Sequence, residues 1–386
     1  MDHAARLRQL QLVLPENKLD LLLVTHLPNI QYLTGFTGSA AALLVGDGRA
    51  TLFTDGRYIA QARQEVTSAR IVISSQSPLL AAAEWLLGRR ERSGKSTGIR
   101  GKSLGVSANL LLGIEPESLT AGARERLAAA LHGKVRRGSV RRGTIRVKLA
   151  SPLVERARMV KDSDEIQHIR DAVKLGASLF RVACNKIRPG VREIEVAAAM
   201  EYEARRKGAE GMSFPTILAA GARSAVVHGR ASSARIPARG FVVCDFGVIL
   251  AGYCSDRTRT VHVGRPSKQA RQFYGAVLEA QLAAIAAVRP GITAAEVDGA
   301  ARDVLRKHKL ARWFTHSTGH GLGLEIHEAP RLAAGQPQKL EPGTVVTIEP
   351  GAYVPGKWGV RIEDVVVVTA AGCEVLTPAD KELVVI

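Results

Sequence analysis

Four carboxylates sit in sequence surroundings that should reject them. Asp245 and Asp256 lie in the apolar stretch FVVCDFGVILAGYCSDRTRT (241–260), on either side of a glycine-containing turn. Glu349 lies in GTVVTIEPGAY (343–353) and Glu363 in GVRIEDVVVVT (359–369). An ionised carboxylate removed from water is costly unless a counter-charge meets it. The stretches read as strands, and neighbouring strands lie about 4.8 Å apart. Without cations, most of the four groups would have to take up protons. Two divalent ions cancel their charge, and metal pairs about 3.5–4 Å apart are routinely bridged by carboxylates. The pattern points to a binuclear metal centre.

A nitrogen ligand comes from FTHSTGHGLGLEIHEAP (314–330), which offers His316, His320 and His327. His316 and His320 have the four-residue spacing of a helical zinc-protease HExxH. Ser317 stands where that motif has glutamate, however, and Gly319, Gly321 and Gly323 disfavour a helix. An extended, glycine-rich segment bringing His320 close to the metals fits better. A donor set with one nitrogen, several oxygens and no sulfur favours manganese, with cobalt or zinc as the other candidates. Cys254, two residues before Asp256, shares the metal-facing side of a regular strand. Free buried cysteine commonly serves as a small hydrophobe, and Cys254 is expected to pack as one. SGKST (Ser93–Thr97) misses phosphate-loop spacing, because Arg89 occupies the position of the first glycine.

The elements that must position these residues fall into two domains, expected at 1–152 and 155–386; at 386 residues the chain exceeds the usual size of a single core. In the N-terminal third, DLLLVT (Asp20–Thr25), AALLVG (Ala41–Gly46) and ARIVIS (Ala69–Ser74) read as strands. DGRYIAQARQEV and PLLAAAEWLLG read as helices, and Gly46–Gly48 as a hairpin turn. This is an α/β domain ending near VRRGSVRRGTIRVKLA, with a linker at about Ser151–Val154. A helix then opens at Lys161, where Asp162 and Glu165 have capping-box spacing. Beyond it, RPGVREIEV (Arg188–Val196) matches RPGITAAEV (Arg289–Val297) in register, 101 residues apart, with Thr293 and Glu296 as a second capping box. Each copy is followed by a strand pair bearing two of the four carboxylates. A duplicated half-domain of two helices and a sheet accounts for this, the acids of the two halves facing each other.

Bulk properties exclude several classes. No apolar run approaches the roughly 20 residues of a membrane helix, and the first thirty residues lack a signal-peptide apolar block. The four cysteines form no CxxC pair, so a cytoplasmic protein without disulfides is expected. Residues 89–148 hold 15 Lys/Arg against 4 Asp/Glu, contributing +11 of the chain's +18. Few aromatics accompany this cluster, and a solvated basic face is expected rather than a nucleic-acid site.

CDFGVILAGYCSDRTRT, HSTGHGLGLEIHE, TIEPGAY and GVRIEDVVVV resemble the motif series of the pita-bread metallopeptidases, best matching the Xaa-Pro aminopeptidase (aminopeptidase P) and prolidase branch. LLLVTHLPNIQYLTGFTGSAAALLV and TLFTDGRYIAQARQEV resemble the creatinase-type N-terminal domain of the same proteins. The resemblance implies an α/β N-terminal domain followed by an α+β pita-bread domain of two pseudo-symmetric half-repeats. It implies that Asp245, Asp256, His320, Glu349 and Glu363 bind two metals, with Asp256 and Glu363 bridging, and that a metal-bridging hydroxide is the nucleophile. By the same resemblance Glu349 passes the proton, His327 hydrogen-bonds near the tetrahedral centre, and His228, in ARSAVVHGRAS, touches the residue after the scissile bond. His316 and Arg361 would line the substrate pocket. Arg223 and Ala231 depart from the asparagine and proline often found there.

Three functions follow as expectations. The first is removal of an N-terminal residue preceding proline from a peptide, by an aminopeptidase P. The second is a prolidase, confined to dipeptides and needing a group for the free carboxylate. The third is a non-catalytic scaffold of the same fold binding a polyanion; such relatives typically lose metal ligands, whereas all five positions are filled here. The resemblance also implies a homodimer.

Overall fold

In the computed structural model, residues 1–93, 109–132, 144–377 and 380–386 are described. Much of the basic segment 89–148 and most of SGKST lie outside them. The chain divides into two compact units, Met1–Ala157 and Arg158–Ile386.

The first unit is built on a six-stranded sheet of β1 (Leu21–Val24), β2 (Ala41–Gly46), β3 (Thr51–Asp55), β4 (Arg70–Ser74), β5 (Asn109–Ile114) and β6 (Thr144–Leu149), in the order β4-β3-β2-β1-β5-β6. The expected strands and the β2–β3 hairpin at Gly46–Gly48 are present. β1 is antiparallel to β2 and parallel to β5. Helices α1 (His3–Val13), α2 (Leu27–Thr34), α3 (Ile59–Glu65), α4 (Pro78–Ser93) and α5 (Ala121–Leu131) complete the unit. The helix expected from Asp55 begins as a 3-10 turn at Gly56–Tyr58, because the Asp55 carboxylate accepts from the Arg57 amide only two residues on. Leu23, Phe53, Leu112 and Leu127 are fully buried in its core.

Helix α6 (Leu153–Met159) spans the division between the units, and in the second unit α7 (Ser163–Lys186) starts at the expected Asp162/Glu165 capping box. α8 (Glu193–Arg206) follows, then β7 (Gly211–Met212), β8 (Ile217–Ala220), β9 (Gly240–Phe246), β10 (Val248–Leu250), β11 (Tyr253–Cys254) and β12 (Arg257–Val263). The second half repeats this plan. Helices α9 (Lys268–Ala287) and α10 (Ala294–Lys307) precede β13 (Gly319–Gly321), β14 (Glu328–Leu332), β15 (Val345–Ile348), β16 (Gly351–Val354), β17 (Trp358–Arg361), β18 (Asp364–Val368) and β19 (Cys373–Val375). The duplication shows in detail at the helix corners. Gly190 and Gly291 both adopt left-handed φ, 85° and 82°. Their amides donate to the Ile236 and Leu340 carbonyls, and bridges Arg192↔Arg235 and Thr293↔Lys339 follow. Matching turns thus tie each helix corner to the loop that leads into β9 or β15.

The α8, β8, β9 and β12 side chains form one apolar cluster around Phe246 and Met200, and α9 and α10 pack on β15, β17 and β18 around Val277 and Ile348. The architecture is the expected α/β domain followed by an α+β pita-bread domain. No helix among the described residues is long and apolar enough to cross a membrane, and all four cysteines are free thiols.

Candidate metal centre

Each half contributes its acids where a strand ends or two chains cross closely. Asp245 occupies β9 opposite Thr258 of β12, while its neighbours Cys244 and Phe246 point into the apolar cluster behind. Asp256 immediately precedes β12. A Cβ on Gly247 would lie 1.8 Å from the Ser255 carbonyl oxygen, so only glycine permits the crossing that brings Asp256 beside Asp245. Glu349 follows β15, its amide donating to the Thr318 carbonyl, and Glu363 sits between β17 and β18, its amide donating to the Thr258 carbonyl. Gly319 lets β13 approach β15; a Cβ there would meet the Thr347 oxygen at 1.9 Å. This close pairing delivers His320. The segment is extended, as its glycines predict.

Ligand atoms of Asp256, His320 and Glu363 lie within 4.8 Å of one another. His320 Nδ1 contacts the Gly321 carbonyl at 3.0 Å; because a carbonyl only accepts, Nδ1 carries the proton and Nε2 presents a lone pair. That lone pair faces Glu349 Oε1 at 3.4 Å and Asp256 Oδ2 at 3.6 Å. Burial pushes the imidazole pKa down to about 4, so it stays neutral. Three ligand atoms therefore face one another around one point. Asp245 Oδ1, Asp256 Oδ1 and Glu363 Oε1 are also buried without a hydrogen-bond partner. Buried polar atoms are almost always paired, and a cation satisfies all of them at once. The donor set fits divalent metal.

Burial, reinforced by the neighbouring acids, pushes Asp256 and Glu363 well above the usual carboxylate range. Glu349 is raised to about 8, chiefly by burial, with Arg361 opposing. The metal-free folded protein thus binds more protons than the unfolded chain between the ordinary carboxylate pKa and about pH 8. Stability from these protonated acids is present at low pH and lost as pH rises through that window. The melting temperature of chelator-treated protein is expected to fall between about pH 5 and 8, with manganese raising it most at the alkaline end. A metal response that is flat with pH would contradict this account.

Arg361 ends β17 and has all its groups engaged: Asp245 Oδ2 at 2.5 Å, Tyr353 hydroxyl at 2.7 Å, Thr258 hydroxyl at 3.1 Å and the Val227 carbonyl at 3.2 Å. Tyr353, which the sequence reading passed over within TIEPGAY, accepts from Arg361 and donates to His316 Nε2 at 2.9 Å. His316 Nδ1 donates to the Ser317 carbonyl. Both nitrogens of His316 are therefore used within the wall of the site, and burial, followed by Arg361, lowers its pKa to about 3. His327 packs edge-on against His320, ring centroids 4.4 Å apart. Its neighbour Glu328 is held by Arg158 at 2.5 Å and Lys161 at 3.1 Å, which fixes the strand start that aims His327. Cys254 is buried off the cleft, its thiol pushed up to about 12 by burial, and stays protonated.

These residues enclose a cavity of about 540 Å³ lined by Asp245, Asp256, His320, Glu349, Glu363, His228, His316, His327 and Arg361. All nine residues singled out from the sequence are thus brought together. The cavity adds Phe214, Pro215, Ile217, Arg230 and Arg331. Phe214, Pro215 and Ile217 lie outside the quoted motifs; Arg230 falls within ARSAVVHGRAS and Arg331 just after FTHSTGHGLGLEIHEAP, and pairing places both, Arg230 opposite Ile217 and Arg331 opposite His320.

The pattern of metallopeptidase family M24 matches residues 167–370, and that of the creatinase/prolidase N-terminal domain matches residues 6–160. The chain is 33% identical over 371 residues to the Xaa-Pro dipeptidase of Pyrococcus horikoshii, covering 96% of this chain and 95% of that one. An Xaa-Pro dipeptidase from Bacillus anthracis superposes with a TM-score of 0.88 at 36% identity, both chains being covered in full. An X-Pro aminopeptidase from Thermotoga maritima superposes with a TM-score of 0.82 at 31% identity, covering 99% of each chain.

Proposed function

Because the chain belongs to metallopeptidase family M24, we propose that it hydrolyses the bond between an N-terminal residue and a following proline, and that its substrate is the Xaa-Pro dipeptide. The observation that carries the metallopeptidase reading is the set of unpartnered, buried carboxylate oxygens converging with the His320 lone pair. Asp245, Asp256, His320, Glu349 and Glu363 would hold two divalent cations. Manganese is the first choice for this oxygen-rich set, and cobalt or zinc the alternatives. Bound there, such ions acidify water toward neutrality and polarise the scissile carbonyl.

The chain's own groups do the rest. Glu349 takes a proton from the attacking water and returns one to the leaving proline nitrogen. His327 donates a hydrogen bond to the oxygen that gains charge. His228, on the turn at residues 227–228, contacts the proline residue. His316 and Arg361 bound the substrate pocket, Arg361 holding Asp245 and Tyr353 in place.

Two things favour dipeptides over longer peptides, and the prolidase reading over the aminopeptidase P reading. The Xaa-Pro dipeptidase from Bacillus anthracis is more similar to this chain, in sequence and in fold, than the Thermotoga maritima aminopeptidase. The outer cavity wall also carries two exposed arginines, Arg230 and Arg331, suited to a free carboxylate. A scaffold role has no use for five intact ligand positions. On manganese-loaded protein, Leu-Pro should be cleaved at least about tenfold faster than Leu-Pro-Gly, the scale of one charge-assisted contact. Faster cleavage of the tripeptide would restore the aminopeptidase reading. Metal-bound protein inert on both would end the peptidase reading.

A further inference from the structure

Glu193 opens α8 as a fully buried acid, and the duplication shows that the helix corner can be built without it. Its repeat mate, 101 residues on, is Ala294, buried among the apolar side chains of α9 and α10. The two backbones dock alike: the Glu193 amide donates to the Ala234 carbonyl, and the Ala294 amide to the Gln338 carbonyl. The carboxylate of Glu193 therefore serves something that the second half lacks. Its Oε1 accepts from the Ala220 amide at 2.9 Å, and its Oε2 from the Ser232 amide at 3.1 Å and the Ser232 hydroxyl at 2.6 Å. Arg223 Nε donates to both oxygens, at 3.1 Å each. Ala220 and Ser232 flank the loop that carries His228, so one carboxylate closes the neck of that loop. Arg223 carries the hold across it. Its Nη2 donates to the Arg230 carbonyl at 2.9 Å, and the Arg230 amide donates to the His228 carbonyl at 2.9 Å. The imidazole of His228 has no hydrogen-bond partner among the described residues and is exposed in the cleft. His316 and His320 differ, each having Nδ1 on a carbonyl oxygen. His228 is aimed only by the backbone that bears it.

We propose that Glu193, acting through Arg223 and the loop neck, is a positioning residue for His228. The inference rests on the reading that His228 contacts the proline residue of the substrate, and deepens it by assigning what holds that contact in place. Every group that meets the carboxylate is a donor, so an amide of the same shape would turn its own N–H groups toward other donors and push the neck open. Removing the acid also leaves the Arg223 charge without its partner. A loop released at its neck regains conformational freedom, and substrate binding must order it again. The loss therefore falls on KM more than on kcat. None of the five residues that would hold the cations lies on residues 221–231, so cation binding is expected to survive.

The test is a double-substitution cycle on full-length, manganese-loaded protein with Leu-Pro as substrate. Glu193→Gln, Arg223→Met and His228→Ala are made singly, and each of the first two is combined with His228→Ala. His228→Ala should raise KM by about three- to tenfold, the scale of one hydrogen bond. Glu193→Gln and Arg223→Met should each raise KM by no more than that, and Arg223→Lys should recover part of the loss. In the His228→Ala background neither should raise KM further, because changes acting through one contact are not additive; a general structural lesion would multiply instead. Manganese titrations should match wild type throughout. Amide hydrogen exchange at residues 225–230 should quicken in Glu193→Gln and Arg223→Met but not in His228→Ala. KM effects that multiply in the double variants, or weakened manganese binding in Arg223→Met, overturn the proposal. Should Glu193→Gln fail to fold, Ser232→Ala takes its place with the same expectations. In these cases wild-type cleavage of Leu-Pro leaves the proposed function standing. Wild type that cuts only Leu-Pro-Gly refutes the dipeptidase reading, and the same cycle is then read on that peptide. Wild type inert on both refutes the peptidase reading, and exchange decides alone: unchanged rates at 225–230 in Glu193→Gln overturn the proposal, and faster rates uphold the hold on His228.

Discussion

Replacing Asp256 or Glu363 by its amide is expected to abolish turnover while making the metal-free protein more stable. The two acids share a buried space with Asp245 and Glu349, and each keeps one oxygen with no hydrogen-bond partner. In the metal-free fold their ionisation is opposed by burial and by one another. An amide of the same shape removes that opposition, and relief of functional strain of this kind commonly yields about 0.5–2 kcal/mol. The gain should be largest near pH 8, where the wild-type acids are hardest to keep protonated. With metal the sign reverses. Losing one of the carboxylates proposed to hold the ions should weaken metal binding, and kcat/KM should drop by roughly 10⁴-fold or more, since bound ions would acidify the water and polarise the carbonyl. Thermal melts of Asp256→Asn with chelator and with manganese, alongside activity, check both halves. A variant less stable than wild type without metal, yet active with it, would mean that these carboxylates are structural.

Glu349→Gln is expected to separate chemistry from binding. The amide keeps an oxygen ligand but cannot carry a proton between water and the proline nitrogen, so kcat should fall by on the order of 10²–10⁴ with KM little changed. Activity that still depends on metal but no longer follows an acidic pKa would locate the proton transfer at Glu349. A kcat within tenfold of wild type would exclude it. Glu349 suits this role because it lies 3.4 Å from the His320 nitrogen yet is the least enclosed acid of the cluster, its side chain 16% exposed against 6% for Asp256.

Much of this was legible from the chain because the signals were local or broke a local rule. Asp245, Asp256, Glu349 and Glu363 stood out as charges in apolar strands. The Pro-Gly corners at Arg188 and Arg289, with the capping boxes at Asp162 and Thr293, announced helix boundaries from spacing alone. What escaped depends on chain segments far apart in sequence. The links Arg361–Asp245 and Arg302–His316 carbonyl exist only once strands and helices are paired. So does Tyr353's place between Arg361 and His316. Strand β6 was passed over for a different reason: it is an edge strand, and Arg146 and Lys148 on its alternate positions fall in the basic stretch VRRGSVRRGTIRVKLA, taken as the end of the domain. The choice between an aminopeptidase and a dipeptidase was likewise open in the motifs, which resemble both branches alike.

The central claim is that the buried acids and His320 are arranged for divalent cations. Calorimetric titration of chelator-stripped protein with manganese tests it most directly, with Asp256→Asn in parallel. Two ions per chain, accompanied by proton release at pH 7 as Glu349 and its neighbours ionise, are predicted, with the variant losing at least one of them. Saturation without any bound ion, or binding equal in the variant, would contradict the account.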